Sequence, residues 1–106
     1  MKKEAKEIST EIAKERVERD ALFVDVRERY ELAEISYDVP HIVNIPLSEF
    51  NERFIELPRD KKLIIVCRRG RRSLIATKFL LQQGFSNVVN MIGGIIDWEK
   101  KNFSTK

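Results

Sequence analysis

The run Ala21-Leu22-Phe23-Val24-Asp25-Val26 carries no alternation of polar and apolar residues. A strand with one wet face alternates, whereas a strand covered on both faces does not. The run therefore predicts a central strand of a parallel sheet with helices on both sides. Leu63-Ile64-Ile65-Val66 is a second buried strand, strongly β-branched, and Ile42-Val43-Asn44-Ile45 and Val88-Val89-Asn90-Met91 are two more strand-sized runs. Helical segments fall between them with short connections. That alternation is the α/β signature: three layers, α/β/α, around a central, mostly parallel sheet of about five strands.

The intervening segments carry their own punctuation. Ile8 to Thr10 is a short extended entry and a helix N-cap, with Ser9 or Thr10 supplying the hydroxyl. The helix is predicted to run to about Arg19, with Ile12, Ala13 and Val17 on its buried face and a Glu15–Arg19 ion pair outside. Glu28 to Glu34 is a second short helix. Pro46 stops a strand, and Ser48 is predicted to cap a helix that buries Phe50, Phe54 and Leu57. Pro58-Arg59-Asp60 is a turn. A helix from about Arg72 stops at Gly84, and Gly93-Gly94 leads into a last short helix with Ile95, Ile96 and Trp98. No repeat, linker or low-complexity stretch interrupts residues 1–106, so one domain is expected.

Composition excludes several function classes. Hydrophobic residues make up 42% and charged residues 35%, which is ordinary for a soluble globular chain. The net charge of +3 is mixed with acids almost everywhere, so it gives no argument for nucleic acid. No apolar run is long enough to span a membrane, and the basic first residues have no apolar stretch behind them, as a secretory signal would. One cysteine cannot form an internal disulfide, and a reducing, cytoplasmic setting is expected. One Cys and one His fall short of a four-ligand zinc set, so no metal and no cofactor is expected. A monomer is the default.

The exception to the mixed charge is Cys67-Arg68-Arg69-Gly70-Arg71-Arg72-Ser73. It follows the strand ending at Val66 and precedes a helix. In open parallel sheets, ligands bind at this carboxyl edge. Gly70 permits the backbone to curl, and a curled loop turns successive N–H groups inward as an anion nest. The helix N-terminus adds partial positive charge, and Arg68, Arg69, Arg71 and Arg72 add full charges. Each feature favours an accessible thiolate, the nucleophilic form of cysteine. With no second thiol in the chain, any sulfur placed on Cys67 must leave to an outside acceptor.

Other residues read as structural. His41, the only histidine, lies between Pro40 and Ile42, with nothing to bring it to Cys67. Asp25 ends a strand on the Cys67 edge, and a structural ion pair or backbone cap is favoured over a pocket role. Gly93-Gly94 serves a tight turn and a close backbone approach, and lacks the remainder of a nucleotide fingerprint. Trp98, among apolar neighbours, reads as core.

Four segments in order give the chain its resemblance to single-domain rhodaneses, along nearly its whole length. They are Phe23-Val24-Asp25-Val26-Arg27-Glu28, Asn44-Ile45-Pro46-Leu47, Val66 through Ser73, and Asn90-Met91-Ile92-Gly93-Gly94 with Trp98. The specific element is the pattern Cys-x-x-Gly-x-Arg-Ser. The resemblance implies a sulfurtransferase in which Cys67 is the nucleophile and forms a persulfide. Arg68, Arg69, Gly70, Arg71, Arg72 and Ser73 would then be the substrate-binding loop. The implied partners are a small anionic sulfur donor such as thiosulfate or a persulfide, a thiol or cyanide acceptor, and a persulfide-relay protein.

Two alternatives share the fold. Cysteine-dependent phosphatases and arsenate reductases of rhodanese type have a loop one residue longer, whereas four residues separate Cys67 from Arg72. Docking or sulfur-carrier modules are the second alternative, and docking modules typically lose the nucleophile. One segment departs from the family pattern. Where a Gly-His pair and then Ile-Pro-Gly are usual, this chain has Tyr37, Asp38, Val39, Pro40 and His41. The departure bears on the local loop shape and one wall of the pocket.

Overall fold

The computed structural model describes residues 4–106. The elements in chain order are β1 (Lys6–Ile8), α1 (Thr10–Val17), β2 (Leu22–Asp25), α2 (Arg29–Glu34), β3 (Ile42–Asn44), α3 (Phe50–Arg53), β4 (Leu63–Val66), α4 (Arg71–Gln82), β5 (Val88–Met91) and α5 (Gly94–Lys100). The sheet order is β1-β5-β4-β2-β3, and all four pairings are parallel. The "mostly parallel" expectation is thus met by a wholly parallel five-stranded sheet, whose fifth strand is the extended entry before α1.

β4 lies at the centre, with all four of its residues buried. Alternate side chains leave a strand on opposite faces. Leu63, Ile65 and, one step on, Cys67 enter an apolar layer with Ala76 and Leu80 of α4, Phe50 of α3, Leu57 and Phe85. Ile64 and Val66 enter the other layer, with Ala13 and Val17 of α1, Ile95 and Trp98 of α5, and Tyr37. There Phe23, Tyr37 and Trp98 meet pairwise edge to face, each pair with centroids 5.5 Å apart. A β4 with no polar position follows from this double cover.

Two helix expectations need correction. α1 ends at Val17 rather than near Arg19, and Ile12 faces solvent. Thr10 takes the buried place instead, its hydroxyl donating to Asp97 Oδ2 at 2.7 Å, while the Ser9 hydroxyl accepts from Ile12 N–H and is the cap. Ser48 caps no helix. Its hydroxyl donates to Glu28 Oε1 at 2.7 Å, and the segment is a 3-10 turn (Leu47–Glu49), the single α-turn of α3, then a second 3-10 turn (Phe54–Glu56). Phe50 and Leu57 are buried as expected, whereas Phe54 is only half-buried. Glu49 sits between the guanidinium groups of Arg29 and Arg53, so side-chain pairing outweighs regular helix propagation in this stretch.

Candidate functional site

Cys67 leaves the carboxyl end of the central strand, and the chain turns at once into α4. The turn closes through Gly70, whose φ of +99° is in the left-handed region that glycine enters without strain. The curl brings the amides of the next residues back over the thiol. Gly70 N–H donates to Cys67 Sγ at 3.0 Å and Ser73 N–H at 3.4 Å, with the Ser73 hydroxyl at 3.2 Å. Three polar contacts thus converge on the sulfur. The accessibility expectation is corrected: Cys67 is only 1% exposed. The same curl that supplies the donors covers the sulfur, and Ala76 and Val26 belong to the layer that packs it from below.

The loop treats its two kinds of backbone group differently. Three of its carbonyls are satisfied from behind. Cys67 O accepts from the Tyr37 hydroxyl at 2.6 Å and Ile95 N–H at 3.0 Å, Arg68 O accepts from Ile96 N–H at 3.2 Å, and Gly70 O accepts from Asn90 Nδ2 at 3.2 Å. The N–H groups of Arg68, Arg69, Arg71 and Arg72 meet no protein acceptor among the described residues. Paired carbonyls at Cys67, Arg68 and Gly70 beside open amides give the loop the form of a backbone nest at a helix N-terminus.

The arginine side chains divide. Arg72 is drawn into a bidentate pair with Glu31 of α2, at 2.6 and 2.8 Å. That guanidinium holds the Glu31 carboxyl down to about 2, against an ordinary 4.5. Arg68, Arg69 and Arg71 are exposed and form no salt bridge with any described residue. Of the four loop arginines, three are exposed and Arg72 is a strut tying α4 to α2.

The Asp25–Arg27 pair takes the structural role the sequence favours. Arg27 is 2% exposed and donates from Nε and Nη2 to the Asp25 carboxylate, with Nη2 at 2.9 Å. Asn44 Nδ2 donates to the carbonyls of both residues, at 2.8 and 2.9 Å. His41 is exposed. Among the described residues no His, Cys, Asp or Glu side chains gather as a metal site needs, and no helix is long and apolar enough to cross a membrane.

Three contributors escaped the sequence reading: Glu31, Tyr37 and Asn90. Glu31 lies 41 residues from its partner, and no local pattern links the two. Tyr37 stands at a departure from the family pattern, which is a signal of position without direction. Asn90 breaks the apolar run of β5, and its buried amide spans Glu7 Oε2 at 2.8 Å and the Gly70 carbonyl.

A parallel five-stranded sheet with a cysteine nest at its carboxyl edge defines a class that comparison makes specific. The rhodanese-like domain model matches residues 5–101. The chain belongs to that family. It is 41% identical over 98 residues to "Putative sulfurtransferase YtwF" of Bacillus subtilis (strain 168), covering 91% of this chain and 92% of that protein. It is 40% identical over 99 residues to "Putative sulfur carrier protein YrkF" of the same strain, where it spans 51% of the longer protein and 90% of this chain. The crystal structure of a rhodanese-related protein from Thermoplasma volcanium superposes with a TM-score of 0.86 at 34% identity, covering 95% of this chain and 97% of that one.

Proposed function

We propose that the chain is a sulfurtransferase that carries sulfane sulfur as a persulfide on Cys67, taking it from an anionic donor such as thiosulfate. The Cys67 thiolate attacks the outer sulfur of thiosulfate. A new S–S bond forms, the old one breaks, and sulfite leaves with its electron pair. The outer sulfur of the persulfide then bears the negative charge. An acceptor thiolate, or cyanide in an assay, attacks that sulfur and releases Cys67 as thiolate. Both half-reactions are displacements at sulfur, and no general base is required once the thiolate is formed.

The observation that carries this reading is the pairing of a hydrogen-bonded Sγ with the open amides of Arg68, Arg69, Arg71 and Arg72. Preorganised N–H donors stabilise charge where it develops. A thiol 1% exposed favours a slender donor, and the outward Arg68, Arg69 and Arg71 suit an anionic one. The four-residue spacing from Cys67 to Arg72 disfavours the phosphatase and arsenate reductase alternative. The likeness to YrkF supports a second reading within the same chemistry, relay of a persulfide between proteins in a reducing compartment.

Intact mass of the reduced protein before and after thiosulfate tests the reading. The expected result is a gain of one sulfur, removed by cyanide and absent in Cys67→Ser. Cyanide reversal separates this from sulfinic acid, which adds nearly the same mass and does not reverse. Polysulfide and a protein persulfide form two further arms. Uptake only from the protein donor moves the function to relay, and no uptake from any donor overturns the proposal.

A further inference from the structure

Tyr37 is 1% exposed, yet its hydroxyl is not idle: it donates to Cys67 O at 2.6 Å. Ile95 N–H donates to the same oxygen at 3.0 Å. A carbonyl oxygen has two lone pairs, and these two donors occupy both. The direction of the Cys67–Arg68 peptide plane is therefore fixed from behind. No peptide bond among the described residues is cis, so the Arg68 N–H points opposite to the Cys67 carbonyl. Tyr37 and Ile95 belong to one apolar layer of the sheet, and the Cys67 thiol enters the other. The Arg68 N–H accordingly points away from Tyr37, and no described acceptor meets it.

We propose that Tyr37 is a positioning residue, whose hydroxyl, through the Cys67 carbonyl, aims and polarises the Arg68 N–H toward sulfur carried on Cys67. The proposal rests on the persulfide reading for its substrate. Hydrogen bonding to a peptide carbonyl strengthens the N–H of the same unit as a donor. The ring is held for this task. It meets Phe23 and Trp98 edge to face, and the Arg27 guanidinium lies 5.5 Å from its centroid. Burial, and then the neighbouring Asp25 carboxylate, push the hydroxyl's ionisation well above its ordinary range, so it remains a donor. Ser36 and Asp38 on either side are pinned by backbone hydrogen bonds to Lys106 and Ser104. A glycine at position 37 offers no such donor.

The experiment compares wild type, Tyr37→Phe and, as a control, Tyr30→Phe, which alters a tyrosine 71% exposed. Phenylalanine keeps the ring and its packing. Cys67 is the only cysteine, so [1-13C]cysteine labels one carbonyl on the functional loop. In isotope-edited infrared spectra, Tyr37→Phe is expected to move that band to higher frequency. An unmoved band removes the hydrogen bond and the proposal with it. Single-turnover persulfide formation at saturating thiosulfate should fall roughly three- to tenfold, the weight of one hydrogen bond, while half-saturation changes little. Iodoacetamide alkylation supplies a readout independent of sulfur transfer. Loosening alone would uncover the buried thiol and speed alkylation, whereas loss of amide alignment slows it. Slower alkylation supports the proposal even if no donor loads Cys67. Unchanged or faster alkylation overturns it.

Discussion

Gly94→Ala perturbs the loop without changing the identity of any of its residues. A Cβ built on Gly94 lies 2.1 Å from Arg68 O, 2.2 Å from Arg68 C and 2.5 Å from Arg69 N. Carbon atoms rest roughly 3.5–4.0 Å apart, so the two backbones must separate by about 1.3 Å or more. None of the three clashing atoms belongs to a side chain that could swing aside. Gly94 also has φ +61°, where an L-residue costs about 1–2 kcal/mol. Overpacking adds about 1–3 kcal/mol. Together these predict a melting temperature lower by at least about 8 °C, at about 4–8 °C per kcal/mol for a domain near this size.

Rate is the more discriminating readout. A displacement of about 1 Å in a preorganised site costs on the order of 100-fold. Persulfide formation from thiosulfate, measured by single-turnover mass spectrometry at a temperature where the variant is folded, should fall by that order. Gly84→Ala is the control. It carries comparable strain at φ +90°, but its Cβ meets only Arg59 Nη1 at 3.4 Å, far along the chain from the nest. It should lose stability by about 1–2 kcal/mol and keep its rate. Equal rates for the two folded variants would refute the reasoning, because the Gly94 contact would then have no hold on the geometry of the nest.

The Arg72–Glu31 strut gives a pH prediction. Glu31 titrates at about 2 in the folded chain against an ordinary 4.5, so its stabilisation is present above about 4.5 and is lost as pH falls through 2. Allowing for partial exposure of the pair, Glu31→Gln should cost about 1–2 kcal/mol at pH 7 in urea unfolding, shrinking toward zero near pH 2. A difference constant across that window would mean the pair does not stabilise the fold. Asp25→Asn leaves the Arg27 charge buried without its counter-ion and should cost about 3–5 kcal/mol, read as a large fall in melting temperature. A loss under about 1 kcal/mol would show that the Asn44 and Ile35 contacts suffice to hold the strand ends.

What the sequence made legible follows physical range. Four strands of the sheet, the stop at Gly84 and the curl at Gly70 depend on residues next to one another, and they emerged in place, whereas β1 (Lys6–Ile8) begins before the extended entry expected at Ile8. Ile12 was misassigned because period alone cannot tell an apolar residue at the rim of a helix face from one at its centre. Thr10 was missed because a buried hydroxyl needs its partner, Asp97, from the far end of the chain. The Ser48 cap failed for a similar reason, since Glu28 claims the hydroxyl across 20 residues. The curl of the cysteine loop depends on adjacent residues, whereas the directions of its side chains do not. Which arginine turns inward is decided by Glu31, and burial of the thiol is decided by the closure of the same curl that was predicted.

The pattern in the nest shows why the final turn and helix matter to a site they do not line. A loop with open amides must dispose of its carbonyls, because both groups are strong and one buried unpaired group costs about 1–3 kcal/mol. α5 solves this with its own surplus. Its first N–H groups have no partners inside the helix, and those of Ile95 and Ile96 are spent on Cys67 O and Arg68 O. Two short helices thus meet at one loop with opposite assignments: α4 leaves its N-terminal amides open, and α5 uses its own to hold the loop's back. That arrangement requires the α5 backbone to lie against residues 68 and 69, closer than any Cβ permits, which is why position 94 is glycine. The Tyr37 hydroxyl fills the last lone pair on the Cys67 carbonyl, and Asn90 takes the Gly70 carbonyl while its own oxygen stays without a donor. Three separate elements thus pair the Cys67, Arg68 and Gly70 carbonyls, and that leaves the loop's open amides as its unspent polar groups.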